Sequence, residues 1–233
     1  TASAAERFRA EKGKNMDFSS LAQTVKILAP GLRYTVGLFA ITLVLSLPLG
    51  LLLAFAAEKR RGVLATIIRG YVALMRGTPL MLQLFFIYFG LPVLPVVGEY
   101  LVMGRFPAAC VAFVLNYAAY FCEIFRGGLL AVDRGQYEAA QVLGLRRLRT
   151  KLTIAVPQMC KVTLPAVSNE VITLVKDTAL GSVLSIPDLM KLATARVNAT
   201  ANIAPFLVAA VFYLVMTVVL TRGFDALEKK FRF

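Results

Sequence analysis

Two stretches of this chain carry no charged residue at all: positions 34–57, 24 in a row, and positions 197–221, 25 in a row. A bilayer's hydrocarbon core is crossed by about 20 apolar residues in helical form, so each run is long enough to span it. Three further stretches are nearly as apolar but carry isolated charges. They are 64–90 with Arg69 and Arg76, 106–130 with Glu123 and Arg126, and 162–186 with Glu170, Lys176 and Asp177. None alternates as a barrel strand does, and their lengths suit helices. The pattern predicts an all-α polytopic membrane protein with five transmembrane helices, at about 34–57, 64–90, 106–130, 162–186 and 203–221, in one domain covering 1–233.

Two flanking segments read as amphipathic helices. Phe18, Leu21, Val25 and Leu28 recur at helical spacing ahead of Pro30-Gly31, which predicts a helix on the outer surface before the first span. Phe224, Leu227 and Phe231 repeat the pattern after the last one. The stretch 1–14 holds six charges and no apolar core of its own, so a polar tail is expected there and not a signal peptide.

Composition narrows the chemistry. Apolar residues make up 58% of the chain and charged residues 17%, against roughly 45–50% and about 25% in soluble domains. There is no His and no Trp, and Cys110, Cys122 and Cys160 are too far apart for a metal-ligand cluster, so no cofactor or metal is expected in this chain and the thiols read as buried and free. The net charge of +13 points to basic loops against an anionic leaflet, and no aromatic-basic groove suggests nucleic acid. Placing the 58–62 loop, the 126–161 stretch and the tail after 221 on the cytoplasmic side gives it 14 basic residues against 9 outside. The positive-inside bias then sets the N-terminus outside and the C-terminus in the cytoplasm.

The connector at 131–161 is least like a span. It reads Asp133-Arg134-Gly135-Gln136-Tyr137-Glu138-Ala139-Ala140-Gln141-Val142-Leu143-Gly144, then nine residues, then Ile154-Ala155-Val156-Pro157. A short helix ended by Gly144, and a second basic helix running to Pro157, are expected. Ala139 and Ala140 leave a shallow surface that another backbone can approach, while Arg146, Arg147, Arg149 and Lys151 suit lipid headgroups or an acidic partner groove.

That spacing resembles the EAA loop of ABC-importer permeases, with Val156 where Leu is usual. Other stretches resemble the polar amino acid uptake subfamily: Arg76-Gly77-Thr78-Pro79-Leu80 with Gln83, Glu123-Ile124-Phe125-Arg126-Gly127-Gly128, and Lys176-Asp177-Thr178-Ala179-Leu180, where Ser more often precedes the last Leu. The likeness covers nearly everything after Asp17. It implies a bacterial inner-membrane subunit forming half of a translocation pathway, with a second permease subunit as homo- or heterodimer, two cytosolic ATP-binding subunits that hold ATP and Mg, and a periplasmic amino acid-binding protein. It also makes the connector a coupling helix, with Glu138, Ala139, Ala140, Leu143, Gly144 and Arg146 meeting the ATPase.

Charges within a bilayer are costly and face an interior or a cavity. Pro79 lacks an amide hydrogen and disfavours helical geometry at Thr78, so Gly77-Thr78-Pro79 is expected to interrupt its helix roughly 21 Å from the inner end, where broken backbone is tolerated only around a polar cavity. The expected substrate-binding set is therefore Gly77, Thr78, Gln83, Glu123, Asp177 and Thr178, with an amino acid's carboxylate held near Gly77 and Thr78, Gln83 adding an amide, and Glu123 or Asp177 meeting its ammonium or a cationic side chain. Arg69 and Glu170 are expected in structural roles. Two other classes compete: a non-substrate-binding half of a heterodimeric permease, and an intramembrane enzyme. The absence of His removes the usual dyads from the latter, and the chain has no Gly-rich Lys-Ser/Thr loop for nucleotide phosphates.

Overall fold

The structure is a computed structural model and describes residues 18–57 and 62–231. The expected polar tail, the basic residues of the 58–62 loop, and Arg232 lie outside the described residues. Every regular element among the described residues is helical.

Helix α1 (Phe18–Leu28) passes through a 3-10 turn (Ala29–Gly31) into α2 (Leu32–Ala57). Pro30 therefore does not separate a surface helix from a span, because it falls in the first turn of the 3-10 segment, where its missing N–H is not needed. Leu28 is fully buried with Leu189, Ala193, Val208 and Ala209, so α1 packs inward through Leu28 with Leu21 and Ile27, whereas Val25 of the expected stripe is exposed. On α2 the residues Leu38, Thr42, Ser46, Gly50 and Ala54 recur every four positions and are all buried. This stripe of small side chains lies against α5 (Arg105–Ala131). A Cβ on Gly50 would stand 2.7 Å from Phe121 Cβ and 3.0 Å from the Cys122 amide nitrogen, so only glycine admits this approach. Close backbone contact between small residues is how helices associate where lipid offers no hydrophobic contrast.

The second expected span is broken. Helix α3 (Val63–Gly77) and α4 (Leu80–Phe85) with the turns that follow it, through Val93, meet at 107°. A π turn (Phe86–Gly90) and a 3-10 turn (Leu91–Val93) continue α4 to Pro92. A second π turn (Lys151–Ala155) joins α7 (Arg147–Thr150) to α8 (Val156–Asp177) ahead of Pro157. Pro157 was expected to stop the basic helix, yet the helical run passes through it. A proline clashes with the carbonyl four residues back, and an i→i+5 turn at that place relieves the crowding. Between these lies α6 (Arg134–Val142). After α8 the chain makes a 3-10 run (Thr178–Leu184), then α9 (Leu189–Thr200) and α10 (Ala204–Phe231). Helix α10 absorbs the tail segment expected as a separate amphipathic helix.

Leu21–Ala57, Arg105–Ala131 and Ala204–Lys230 are long and apolar enough to cross a membrane, and the bent pair α3 and α4 makes a fourth candidate. Helix α8 has 22 residues but is punctuated by Lys161, Glu170, Lys176 and Asp177, which keep it below the same apolar level. The outward faces of α2 and α10 expose Val44, Leu45, Leu52, Val211, Leu214, Val215 and Val219, side chains that suit lipid. Of the three thiols, Cys122 is buried, Cys110 half-buried and Cys160 exposed, and all are free; the exposed one departs from expectation because it sits on the outward side of α8.

Candidate functional site

The break at Gly77-Thr78-Pro79 builds the site. Thr78 is extended, with φ −119° and ψ 146°, and Pro79 follows at ψ 133°, so backbone groups on both sides lose helical partners. Side chains replace them. Gln83 Nε2 donates to Met75 O at 2.9 Å, Thr78 O at 3.2 Å and Thr78 Oγ1 at 2.8 Å. Asn116 Nδ2, from α5, donates to Met75 O at 3.1 Å and to Gln83 Oε1 at 3.0 Å. Buried polar groups in a low-dielectric setting need such partners, and this pair of amides holds the kink against α5.

A cavity of about 490 Å³ opens at the break. Arg76, Thr78, Tyr117, Tyr120, Glu170 and Asp177 contribute its polar lining, with Gly77, Pro79, Leu80, Asn116 and Thr173 completing it. Its size falls within the usual range for small-molecule sites. Tyr117 OH donates to Asp177 Oδ2 at 2.7 Å, and its ring, almost fully buried, stacks on Phe113 with centroids 6.3 Å apart. The Arg76 guanidinium lies 5.3 Å from the Tyr120 ring centroid, a cation–π distance.

Of the six residues expected to meet substrate, Gly77, Thr78 and Asp177 line this cavity. Gln83 turns its Nε2 to the break, and its Oε1 accepts from Asn116 Nδ2 on α5. Thr178 is fully buried and its hydroxyl donates back to Val175 O at 2.6 Å. Glu123 lies elsewhere, in a second cavity of about 320 Å³ lined by Ala57, Ile68, Arg69, Val72, Ala73, Arg76, Cys122 and Arg126. There it forms an ion pair with Arg126, which also donates from Nε to Glu123 Oε2 at 3.1 Å. Residues the sequence pattern did not single out are Tyr117, Tyr120 and Asn116, which look like ordinary core positions in an apolar run; Glu170, expected in a structural role, faces the larger cavity and makes no ion pair within the described residues. The three-residue spacing of Glu123 and Arg126 was the signal for their pairing.

Helix α6 has the form the connector predicted. Asp133 caps it by accepting from Gly135 N at 2.6 Å. Gly144, at φ +70°, closes it with Gly144 N–H to Gln141 O and Leu145 N–H to Ala140 O, both 3.0 Å, the paired bonds of a Schellman end. Ala140 is buried, whereas Glu138, Ala139, Leu143, Gly144 and Arg146 are exposed, and Val142 and Leu143 present large apolar surfaces. No group of three or more His, Cys, Asp and Glu side chains is placed to hold a metal among the described residues.

A helical bundle with apolar outer faces, closed around a polar cavity at a broken helix, defines a membrane permease subunit. The chain belongs to the family described as the binding-protein-dependent transport system inner membrane component, which matches residues 46–233. The arginine transport system permease protein ArtQ of Bacillus subtilis (strain 168) is 36% identical over 219 residues, covering 94% of this chain and 98% of that one. The L-cystine transport system permease protein TcyB of the same organism is 35% identical over 165 residues, with coverage of 71% and 68%. Among solved structures, a chain of an amino acid ABC transporter with histidines matches with a TM-score of 0.81 at 30% identity, over 93% of this chain and 99% of that one. A chain of the inward-facing MetNI methionine ABC transporter matches at 0.71 with 18% identity, over 94% and 100%, and speaks to the fold alone.

Proposed function

We propose that this chain is one of two permease subunits of an ATP-binding cassette importer for a polar amino acid, as homo- or heterodimer, and that the larger cavity is its substrate chamber. The observation carrying this reading is the meeting of the broken helix with two carboxylates: Asp177 and Glu170 line the same cavity as the Gly77-Thr78 lip. An amino acid carries opposite charges a few ångströms apart. Its ammonium, or a cationic side chain, meets Asp177 and Glu170, while its carboxylate lies toward Thr78. Tyr117 holds the Asp177 carboxylate in place through its hydroxyl.

In this reading five passages cross the bilayer: α2, the α3 and α4 pair, α5, α8 with Glu170 and Asp177 turned to the cavity, and α10. The N-terminus is outside and the C-terminus cytoplasmic, in a bacterial inner membrane. Helix α6 then faces the cytosol and seats in a groove of the ATPase subunit, with Ala139 allowing close approach, Val142 and Leu143 entering apolar contact, and Glu138 and Arg146 flanking them. ATP and Mg belong to the two ATP-binding subunits, and a periplasmic binding protein delivers the amino acid. The substrate shifts the permease between states only through unequal affinity for them.

The test is Asp177→Asn in the assembled transporter in proteoliposomes with its binding protein. Uptake of the amino acid and its stimulation of ATP hydrolysis both fall by roughly tenfold or more, the equivalent of losing one charge-assisted contact of about 1.5–3 kcal/mol. Unchanged uptake and stimulation place the substrate site in the other permease subunit and leave this chain as the structural half.

A further inference from the structure

The two cavities share a single lining residue, Arg76. They follow one another along the same pair of helices. The larger is bounded on α5 by Tyr117 and Tyr120, and the smaller by Glu123 and Arg126, the step from Tyr117 to Glu123 being about 9 Å of helix toward α6. Their charges are opposite. The larger holds Glu170 and Asp177 with Arg76 as its one cation, and the smaller holds Arg69, Arg76 and Arg126 against Glu123. The boundary falls where the fold is able to move a long side chain: Arg76 is the penultimate residue of α3, and Gly77 after it has open space where a Cβ would be. The Tyr120 ring, itself 6.1 Å from Tyr117, supports the guanidinium at that boundary.

Resting on the substrate-chamber reading above, we propose that the smaller cavity is the exit chamber of the same route and that Arg76, held over Tyr120, is the inner gate between the two. A cationic or ammonium group is stable beside Glu170 and Asp177 and is repelled at the boundary and beyond it. Passage inward requires the guanidinium to leave the Tyr120 face, and Glu123 is the carboxylate on the far side toward which it can turn. The gate thereby retains an amino acid in the acidic chamber until the subunit changes state.

Thiol accessibility tests this. In the assembled transporter with Cys110, Cys122 and Cys160 replaced by serine, Ala73→Cys reports the smaller cavity and Thr173→Cys the larger. The probes are membrane-impermeant methanethiosulfonates, one anionic and one cationic, applied to the cytoplasmic face of inside-out vesicles without nucleotide. Ala73→Cys reacts readily, and Thr173→Cys slowly. Arg76→Ala and, independently, Tyr120→Leu speed Thr173→Cys labelling on the order of tenfold, the change produced by about 1.4 kcal/mol of barrier, while Ala73→Cys still reacts readily in both, which certifies assembly. Where Arg76→Ala fails to assemble, Tyr120→Leu decides. An unchanged Thr173→Cys rate, or an Ala73→Cys thiol unreachable from that face, overturns the gate. Failure of the transported amino acid to slow Thr173→Cys labelling in the Arg76→Ala background counts against the substrate chamber and leaves the gate standing.

Discussion

The kink that shapes the chamber rests on two side-chain amides, and their energetics are measurable by a double-mutant cycle. Asn116→Leu keeps the branched shape of the side chain and removes the donor shared by Met75 O and Gln83 Oε1. Met75 O keeps its bond from Gln83 Nε2, so the main loss is Gln83 Oε1, left without a donor in a buried site. Orphaning one buried polar atom costs about 1–3 kcal/mol. Gln83→Met removes three donor bonds and leaves Thr78 O without its side-chain partner, while Asn116 Nδ2 still reaches Met75 O; its cost is similar or somewhat larger, about 2–3 kcal/mol. In the double variant the orphaned Oε1 no longer exists, so the combined cost falls short of the sum by about 1 kcal/mol or more, within the range seen for contacting residues. Unfolding of the purified subunit in mixed micelles under increasing denaturing detergent supplies the four stabilities. Additivity of the two single variants to within about 0.5 kcal/mol, the behaviour of distant sites, would refute the claim that these amides form one unit across the break.

Gly50→Ala pushes a methyl into Phe121 and the Cys122 amide and destabilises by about 1–3 kcal/mol, whereas Gly70→Ala, with nothing within 4 Å of its Cβ, is neutral or stabilising by up to about 1 kcal/mol; the same unfolding assay separates them. Asp188, which caps α9 by accepting from Lys191 N at 2.7 Å, is 1% exposed, and burial pushes its carboxyl up to about 6 from the ordinary 3.8. The folded state therefore holds this proton more tightly than the unfolded one, so Asp188's contribution is most favourable below pH ~4 and about 3 kcal/mol of it is lost as pH rises to ~6; Asp188→Asn flattens that stretch of the stability profile, and an unaltered profile would contradict the burial argument. Gly144→Ala forces a side chain into the left-handed region at about 1–2 kcal/mol, loosens the end of α6, and weakens capture of the ATPase subunit in a binding titration.

The fold was legible wherever backbone chemistry leaves few options. Charge-free runs marked α2 and α10, Gly144 marked the end of α6, and Pro79 marked the break, because each rests on a property of one residue type or on simple length. The site was legible in part. Asp177 and Thr78, far apart in sequence, line one cavity. Gln83 was opaque because an amide beside a broken helix serves the backbone as readily as a ligand, and only the facing Asn116 decides which. Glu123 lines the smaller cavity instead, beside Arg126, which the sequence pattern grouped with the connector. Tyr117 and Tyr120 were invisible because an aromatic residue in an apolar run says nothing of which way its hydroxyl points. Pro157 misled in another way, since a wide turn ahead of it lets the helix continue.

The central claim is that this chain encloses the amino acid at the break of its second span. The most direct measurement is the structure of the assembled transporter, with both ATPase subunits bound, determined in the presence of saturating transported amino acid. The account predicts ligand density between Thr78 and the Asp177 and Glu170 carboxylates, lost in Asp177→Asn. Density for the amino acid only in the partner permease subunit, or an empty chamber under conditions in which the transporter turns over, would contradict it.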